Sequence, residues 1–230
     1  MYNGRLAFRG VCRVNGRYPT DFSPVEPHAV NPPLLDAVAL RCERGGRLLF
    51  DDLSLSVAAG ESLQIGGVNG SGKTSLLRIL AGLLQADAGT VRRPAAAELL
   101  WLGHAPGIAE GLTAAENLHS LANLWRPTTR QACRTALAAE GLADWTDEPC
   151  RQLSAGQRRR VALARLQLPE PPRLWLLDEP FTALDASTCA RLEARLQAHC
   201  AAGGALVLTS HRELEAVPAA HRLLWLDAGR

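Results

Sequence analysis

From Leu34 onward the apolar positions fall into short alternating runs separated by longer helical stretches, and that change of period organises the chain. LLDAVALRCE alternates like a strand, Gly45-Gly46 makes a turn, and LLFDDLSLSVAAGE supplies further strand. SLQIGG then leads into a glycine-rich loop and the helical run TSLLRILAGLL, and Ala95 to Gly103 reads as the next strand. Helical stretches follow over roughly Ala114 to Trp125 and Thr129 to Glu140, the first opened by the capping box Thr113-x-x-Glu116. Ser154 to Gln167 predicts another helix, ended by Pro169, while RLWLLD is apolar enough to lie inside a parallel sheet. A helix from Ala186 to Cys200, a Gly203-Gly204 break and the strands ALVLTS and RLLWLD complete an alternating α/β pattern without internal repeats.

The organisation this predicts is one α/β domain over residues 34–230, with a helical subdomain at about 105–168. Residues 1–33 mix Pro19, Pro24, Pro27, Pro32 and Pro33 with polar residues and show no apolar period, so they read as a disordered extension of no assigned function.

Composition narrows the function classes. The 25 basic and 23 acidic residues leave a formal charge of +2, too little for a global field that draws the chain onto nucleic acid or anionic lipid. No stretch approaches the roughly 18 apolar residues of a direct membrane span, and Met1 to Gly10 lacks the apolar core of a secretion signal, so the chain is expected in the cytoplasm. Cys12, Cys42, Cys133, Cys150, Cys189 and Cys200 are scattered without a C-x-x-C pair, which fits reduced thiols better than disulfides or a zinc site. Lys73 is the only lysine in a chain otherwise rich in arginine, which points to a position where an ammonium is chemically required.

That lysine stands in Gly67-Val68-Asn69-Gly70-Ser71-Gly72-Lys73-Thr74, with Ser75 next, a fit to G-x-x-x-x-G-K-[ST] between a predicted strand and a predicted helix. In this motif backbone N–H groups converge on the phosphates of ATP, the lysine reaches the β- and γ-phosphates, and the Thr74 hydroxyl ligates Mg²⁺. Asp178 and Glu179 end the apolar strand, where α/β sheets hold ligands; Asp178 is expected in the Mg²⁺ shell and Glu179 on the attacking water. Ser154, Ala155, Gly156 and Gln157 open a helix whose start offers free N–H groups to an anion. The alternative is a plain capped helix on which Arg158, Arg159 and Arg160 form a solvated face.

Leu153-Ser154-Ala155-Gly156-Gln157 resembles the signature motif of the ATP-binding cassette (ABC) family, and the resemblance covers nearly all of residues 35–230. It implies a P-loop NTPase with a RecA-like core, an antiparallel β edge and an α-helical subdomain. It further implies ATP hydrolysis by a homodimer in which Ser154 and Gly156 contact the γ-phosphate held by the opposite subunit. Phe181 to Asp185 is similar to the family's D-loop, with Asp185 near the dimer seam, and His211 stands where the family has its switch histidine. Two positions depart from the pattern. His104 occupies the place of the Q-loop glutamine. Spacing puts Arg44 where an aromatic residue stacks on adenine, with Phe8 and Tyr18 as alternatives. The turn from Gly89 to Ala97 is also short, which predicts a trimmed antiparallel edge.

Within the family, WLGHAPGI, LTAAENL, LSAGQRRRVALARL and LWLLDEPFTALD look most like the haem-exporter ATPases of cytochrome c maturation. That branch implies a peripheral subunit on the cytoplasmic face of a bacterial inner membrane, docked on polytopic membrane permease subunits. The ATPase of another exporter is the alternative. A soluble cassette acting on ribosomes or DNA is disfavoured, because it usually needs two linked cassettes or a long coiled-coil insertion.

Overall fold

The computed structural model describes the backbone of residues 11–14 and, in full, residues 32–212, 214 and 218–227. The strands are β1 (Val11–Val14), β2 (Leu35–Arg44), β3 (Arg47–Val57), β4 (Glu61–Gly67), β5 (Ala88–Arg92), β6 (Leu99–Leu102), β7 (Leu174–Asp178), β8 (Ala205–Thr209) and β9 (Ala220–Leu226). The α-helices are α1 (Lys73–Ala81), α2 (Ala114–Ala122), α3 (Arg130–Ala139), α4 (Ala155–Leu163) and α5 (Ala186–Ala201). None of the described helices is long and apolar enough to cross a membrane.

Six strands form a parallel sheet in the order β1-β9-β4-β8-β7-β6, and β3-β2-β5 form a separate antiparallel sheet. Alternation explains how the parallel sheet is buried on both sides. On β7, Leu174 and Leu176 pack into the core shared with α1 and the antiparallel sheet, while Trp175 and Leu177 pack into the opposite core with Leu192 and Leu196 of α5. The same split on β8 sends Ala205 and Val207 one way and Leu206 and Leu208 the other. Both faces are therefore apolar, and each fully buried leucine contributes roughly 1.5–3 kcal/mol relative to exposure. A third core, built on Leu118, Cys133, Leu137, Leu142 and Val161, holds the helical subdomain together.

Several boundaries differ from the sequence expectation. Helix α1 stops at Ala81 because Gly82 takes a left-handed conformation (φ 76°) and turns its N–H back onto the Arg78 and Ile79 carbonyls, leaving Leu83 and Leu84 outside. The strand expected from Ala95 opens instead with a 3-10 turn over Ala96–Glu98, and only Leu99–Leu102 pair with β7. Helix α4 tightens into a 3-10 turn over Ala164–Gln167 as it approaches Pro169. The antiparallel edge is complete in three strands, with β5 only five residues long. Val11–Val14, within the expected loose extension, pair in parallel with Leu223–Leu226; a four-residue alternation among glycines and prolines is too short to stand out in the sequence. The five cysteines whose side chains are described are buried and free.

The contact between β7 and α5 contains a titratable group. His199 lies flat on Trp175, with ring centroids 3.7 Å apart and planes 7° from parallel, and its Nε2 lies 3.2 Å from the Arg173 carbonyl. Burial is the main cause that pulls its pKa from 6.5 down to about 4, and the neighbouring Arg195 cation adds to the effect. The unfolded chain binds this proton near pH 6.5 and the native chain only near pH 4, so between those values the unfolded state holds more protons, and stability is lost as the pH drops from about 6.5 toward 4. The loss attributable to His199 reaches at most about 3 kcal/mol, at 1.36 kcal/mol per pKa unit. Urea unfolding at pH 7 and pH 4.5 should therefore show a smaller pH-dependent loss in His199→Phe than in the parent chain, and equal losses would exclude His199 as the source.

Candidate functional site

The loop from Gly67 to Gly72 links the end of β4 to α1, and its path requires glycine at Gly67. There φ is 145°, and a Cβ would lie 2.5 Å from the Leu226 carbonyl and 2.5 Å from Ser71 Oγ. Helix α1 starts without a side-chain cap and without an acidic residue in its first turn, so its N-terminal N–H groups and dipole face the loop uncompensated. Lys73 is 8% exposed and folds back, donating from Nζ to the Gly67 carbonyl at 2.8 Å and the Val68 carbonyl at 3.1 Å. The loop thus holds a cation against its own carbonyls, within reach of any anion the loop encloses.

The register of β7 and β8 sets the carboxylates beside this loop. Asp178 pairs with Thr209, and its buried carboxylate accepts from Thr209 Oγ1 at 2.8 Å and from Thr74 Oγ1 at 3.0 and 3.2 Å. Thr209 Oγ1 in turn accepts the backbone N–H of Glu179 at 2.9 Å. Glu179 has φ 49°, a left-handed conformation that costs a non-glycine residue about 1–3 kcal/mol and persists only when neighbours impose it. Its Oε1 is 3.4 Å from His211 Nε2, within ion-pair range but without a hydrogen bond, and it has no other donor among the described residues. His211 is more than half exposed, so its ring can still reach a bound group.

One cavity of about 340 Å³ gathers Asn69, Gly70, Gly72, Lys73, Thr74, Ser75, His104, Asp178, Glu179 and His211. These residues come from four separated segments, and all of them are expected from the sequence. Gly67 and Ser71 shape the loop from below, and Val68 is exposed beside it. A larger groove of about 1050 Å³ lies on the other side of the His104 segment, between Arg93, Trp101 and the α2 end at Leu121 and Trp125; it contains none of the phosphate-loop residues.

Other expected site residues lie outside the cavity. Arg44 does not line it; the guanidinium donates to both Asp87 carboxylate oxygens at 3.2 Å and to the Gln85 carbonyl at 2.7 Å. An acid at the start of β5 therefore holds the side chain that spacing alone places against adenine. Phe8 and Tyr18, the alternatives, lie outside the described residues. Ser154 and Gln157 form a full capping box on α4, and Ser154 and Ala155 are exposed. A Cβ on Gly156 would lie 3.3 Å from the Ala183 carbonyl, so the turn carrying Ser154 abuts the segment that precedes α5. Asp185 caps α5: hydrogen bonds from the Ser187 hydroxyl and the Thr188 N–H pull its pKa to about 2, keeping it charged.

Leu49 of β3 also lines the cavity, and the sequence singles out neither it nor Thr209 nor Arg159 as a contributor. Thr209 was visible only as a strand end. Arg159 belongs to the run Arg158-Arg159-Arg160, yet it is 4% exposed and donates to the carbonyls of Gly103, His104, Asp178 and Glu179 at 2.7–3.2 Å. A solvated arginine face is therefore wrong for this residue. The signal that reveals it is helical spacing: Arg159 shares a stripe with buried Ala162, Leu163 and Leu166.

The model of the ABC transporter family matches residues 50–182. A cytochrome c biogenesis ATP-binding export protein, CcmA, of Pseudomonas putida is 54% identical over 200 residues, covering 83% of this chain and 95% of the relative. The protein of the same name from Salmonella typhi is 48% identical over 206 residues, with 85% and 98% covered. Among solved structures, a dimeric bacterial ABC transporter cassette superposes with a TM-score of 0.73 at 22% identity, over 84% of this chain and 94% of that one. A post-hydrolysis cassette dimer bound to ADP and Pi gives 0.70 at 22% identity, over 77% and 88%.

The linked contacts of Thr209 generate a specific expectation. Thr209→Val keeps the shape but strands the buried Glu179 N–H and removes a donor from Asp178, which costs about 1–3 kcal/mol for an unsatisfied buried group. Equilibrium unfolding should register that loss, and ATP turnover should fall with it. Unchanged turnover in Thr209→Val would show that the hydroxyl does not hold the carboxylate pair.

Proposed function

This chain belongs to the ABC transporter family and is an ATP-binding cassette ATPase; from that premise we propose that it powers haem delivery for c-type cytochrome biogenesis as a peripheral subunit of an inner-membrane exporter. The observation that carries the catalytic part of this reading is the convergence of Lys73, Thr74, Asp178, Glu179 and His211 on one cavity. The identity to CcmA proteins supports the haem and cytochrome c part. On this reading the chain works on the cytoplasmic face of the membrane, and its polytopic permease partners sit beside the groove that flanks His104.

The phosphates of ATP lie along the Gly67–Thr74 loop and the α1 N-terminus, with Val68, Asn69, Gly70, Ser71 and Ser75 supplying the surrounding backbone and polar groups. Lys73 leaves the Gly67 and Val68 carbonyls for the β- and γ-phosphates. The Thr74 hydroxyl and the Asp178 carboxylate, already in contact, form a hard-oxygen donor set that suits Mg²⁺. When bound, that ion neutralises charge developing on the phosphates. Glu179, with an Oε1 that lacks a donor, orients the attacking water and takes its proton. His211 reaches the γ-phosphate and keeps Glu179 in place. His104 lines the same cavity from the Q-loop position.

Ser154 and Gly156 do not line this cavity, and on this reading they close the site of the opposing subunit in a head-to-tail homodimer, with Asp185 near the seam. The dimeric cassettes among the structural relatives support that arrangement. Each composite site draws its phosphate loop from one chain and its signature turn from the other.

Glu179→Gln should retain ATP binding, lose steady-state hydrolysis and accumulate as an ATP-bound dimer, because the amide keeps the shape but cannot accept the water's proton. In cells the same substitution should remove haem-stained c-type cytochromes. Near-normal hydrolysis in the purified variant would overturn the assignment of the base, and normal c-type cytochromes alongside lost hydrolysis would overturn the cargo.

The head-to-tail pairing has its own test. Lys73→Ala and Ser154→Arg are each expected to be inactive, and a mixed dimer carries both lesions in one composite site and none in the other. Mixing should restore part of the activity. A cysteine crosslink between position 69, exposed on the phosphate loop, and position 154 of different chains should form in the ATP-bound state, and its failure would defeat the pairing.

A further inference from the structure

The three arginines that open α4 behave differently. Arg158 reaches the Glu110 carboxylate at 3.5 Å, and Arg160 donates to the Glu140 carbonyl at 3.0 Å. Arg159 turns inward and, among the described residues, meets no carboxylate side chain within ion-pair range. Its Nη1 donates to the Gly103 and His104 carbonyls at 3.0 and 3.2 Å, and its Nη2 donates to the Asp178 and Glu179 carbonyls at 3.2 and 2.7 Å. Removing a guanidinium from water is costly, and burial pulls its pKa below the ordinary arginine value against the opposing charges of Asp178 and Glu179. A cation buried at that cost, and bonded only to main chain, acts by fixing the backbone it touches.

The four carbonyls belong to two segments, the His104 turn and the end of β7, and Arg159 joins both to the helix that begins with the exposed Ser154 turn. The shortest of the four bonds holds the Glu179 peptide, whose left-handed backbone needs an external constraint. We propose that Arg159 is a positioning residue for hydrolysis, clamping the His104 turn and the Glu179 peptide to α4 so that engagement of Ser154 and Gly156 by the opposing nucleotide is delivered to the catalytic carboxylate. The inference rests on the reading of Glu179 as the base. It assigns Arg159 no contact with nucleotide. Lys73 and Thr74, which hold the phosphates, do not touch it, so the clamp acts on turnover and leaves binding intact.

Arg159→Lys and Arg159→Gln in the full chain provide the test. A single ammonium cannot span two segments as a planar fork does, so lysine should fail to rescue even though it keeps the charge. Both variants should lower kcat about tenfold or more, since displacing a reacting group by about 1 Å costs on that order. ATP affinity, measured by nucleotide titration of each variant, should stay within about threefold of the parent, well inside the tenfold that 1.4 kcal/mol represents. The decisive comparison is a cycle with Glu179→Gln. A residue that acts through Glu179 adds no further loss to the residual turnover of that variant, whereas an independent contributor multiplies it. Full activity in Arg159→Lys, a parallel loss of affinity and kcat, or multiplicative losses in the cycle would each overturn the proposal. Near-normal turnover in Glu179→Gln alone would instead remove the reading on which it rests.

Discussion

The buried Asp178 carboxylate, held by two threonine hydroxyls, is the interaction on which the site depends. A carboxylate taken out of water must be satisfied where it stands, and here Thr74 from α1 and Thr209 from β8 both donate to it. Those two bonds tie three elements that are distant in sequence: the helix after the phosphate loop, the strand that ends in Asp178-Glu179, and the strand that leads to His211. Thr209 also receives the Glu179 N–H, so the same contact fixes where the next carboxylate begins. The parallel sheet supplies the register, pairing Asp178 with Thr209 at the strand ends where an α/β fold opens toward a ligand.

Around that centre the chain balances constraint against freedom. Glu179 is held at its backbone by Thr209 and Arg159, while its Oε1 is left without a hydrogen bond beside an exposed His211. Lys73 is likewise anchored, but only to carbonyls that a phosphate can replace as partners. Rigid main chain with uncommitted side-chain ends is what preorganised electrostatic catalysis requires, because reorganisation is completed before the substrate arrives.

Most of the fold and most of the cavity were legible in the sequence, because both rest on local patterns. Short continuous apolar runs mark β7 and β8, and the glycine-lysine motif announces a loop whose geometry is set within eight residues. What stayed hidden depends on partners far along the chain. Arg44 stands at the expected spacing, but Asp87, just before the neighbouring strand β5, takes its guanidinium. Arg159 looks like one of three solvated charges until helical spacing is combined with the inward packing of Ala162 and Leu166. The pairing of Val11–Val14 with β9 depends on a strand more than two hundred residues later, and no local pattern encodes it.

The distribution of exposed and buried residues on α4 fits the proposed head-to-tail dimer, in which one chain would be only half of a site. Its first turn is capped by its own Ser154 and Gln157 and points to solvent, so the helix start is formed in advance but has no phosphate of its own chain to meet. One turn further on, Arg159 is buried against the strand end and the His104 segment. Beside that first turn, Gly156 lies against Ala183, and two residues later Asp185 stays ionised as it caps α5. In the proposed dimer this short helix would present an anion-binding end to a second body while its Arg159 holds the backbone carbonyl of Glu179, the proposed base. A nucleotide bound by the partner would bear on the same nine-residue helix that holds Glu179, which gives the two sites a physical route to each other through one rigid element.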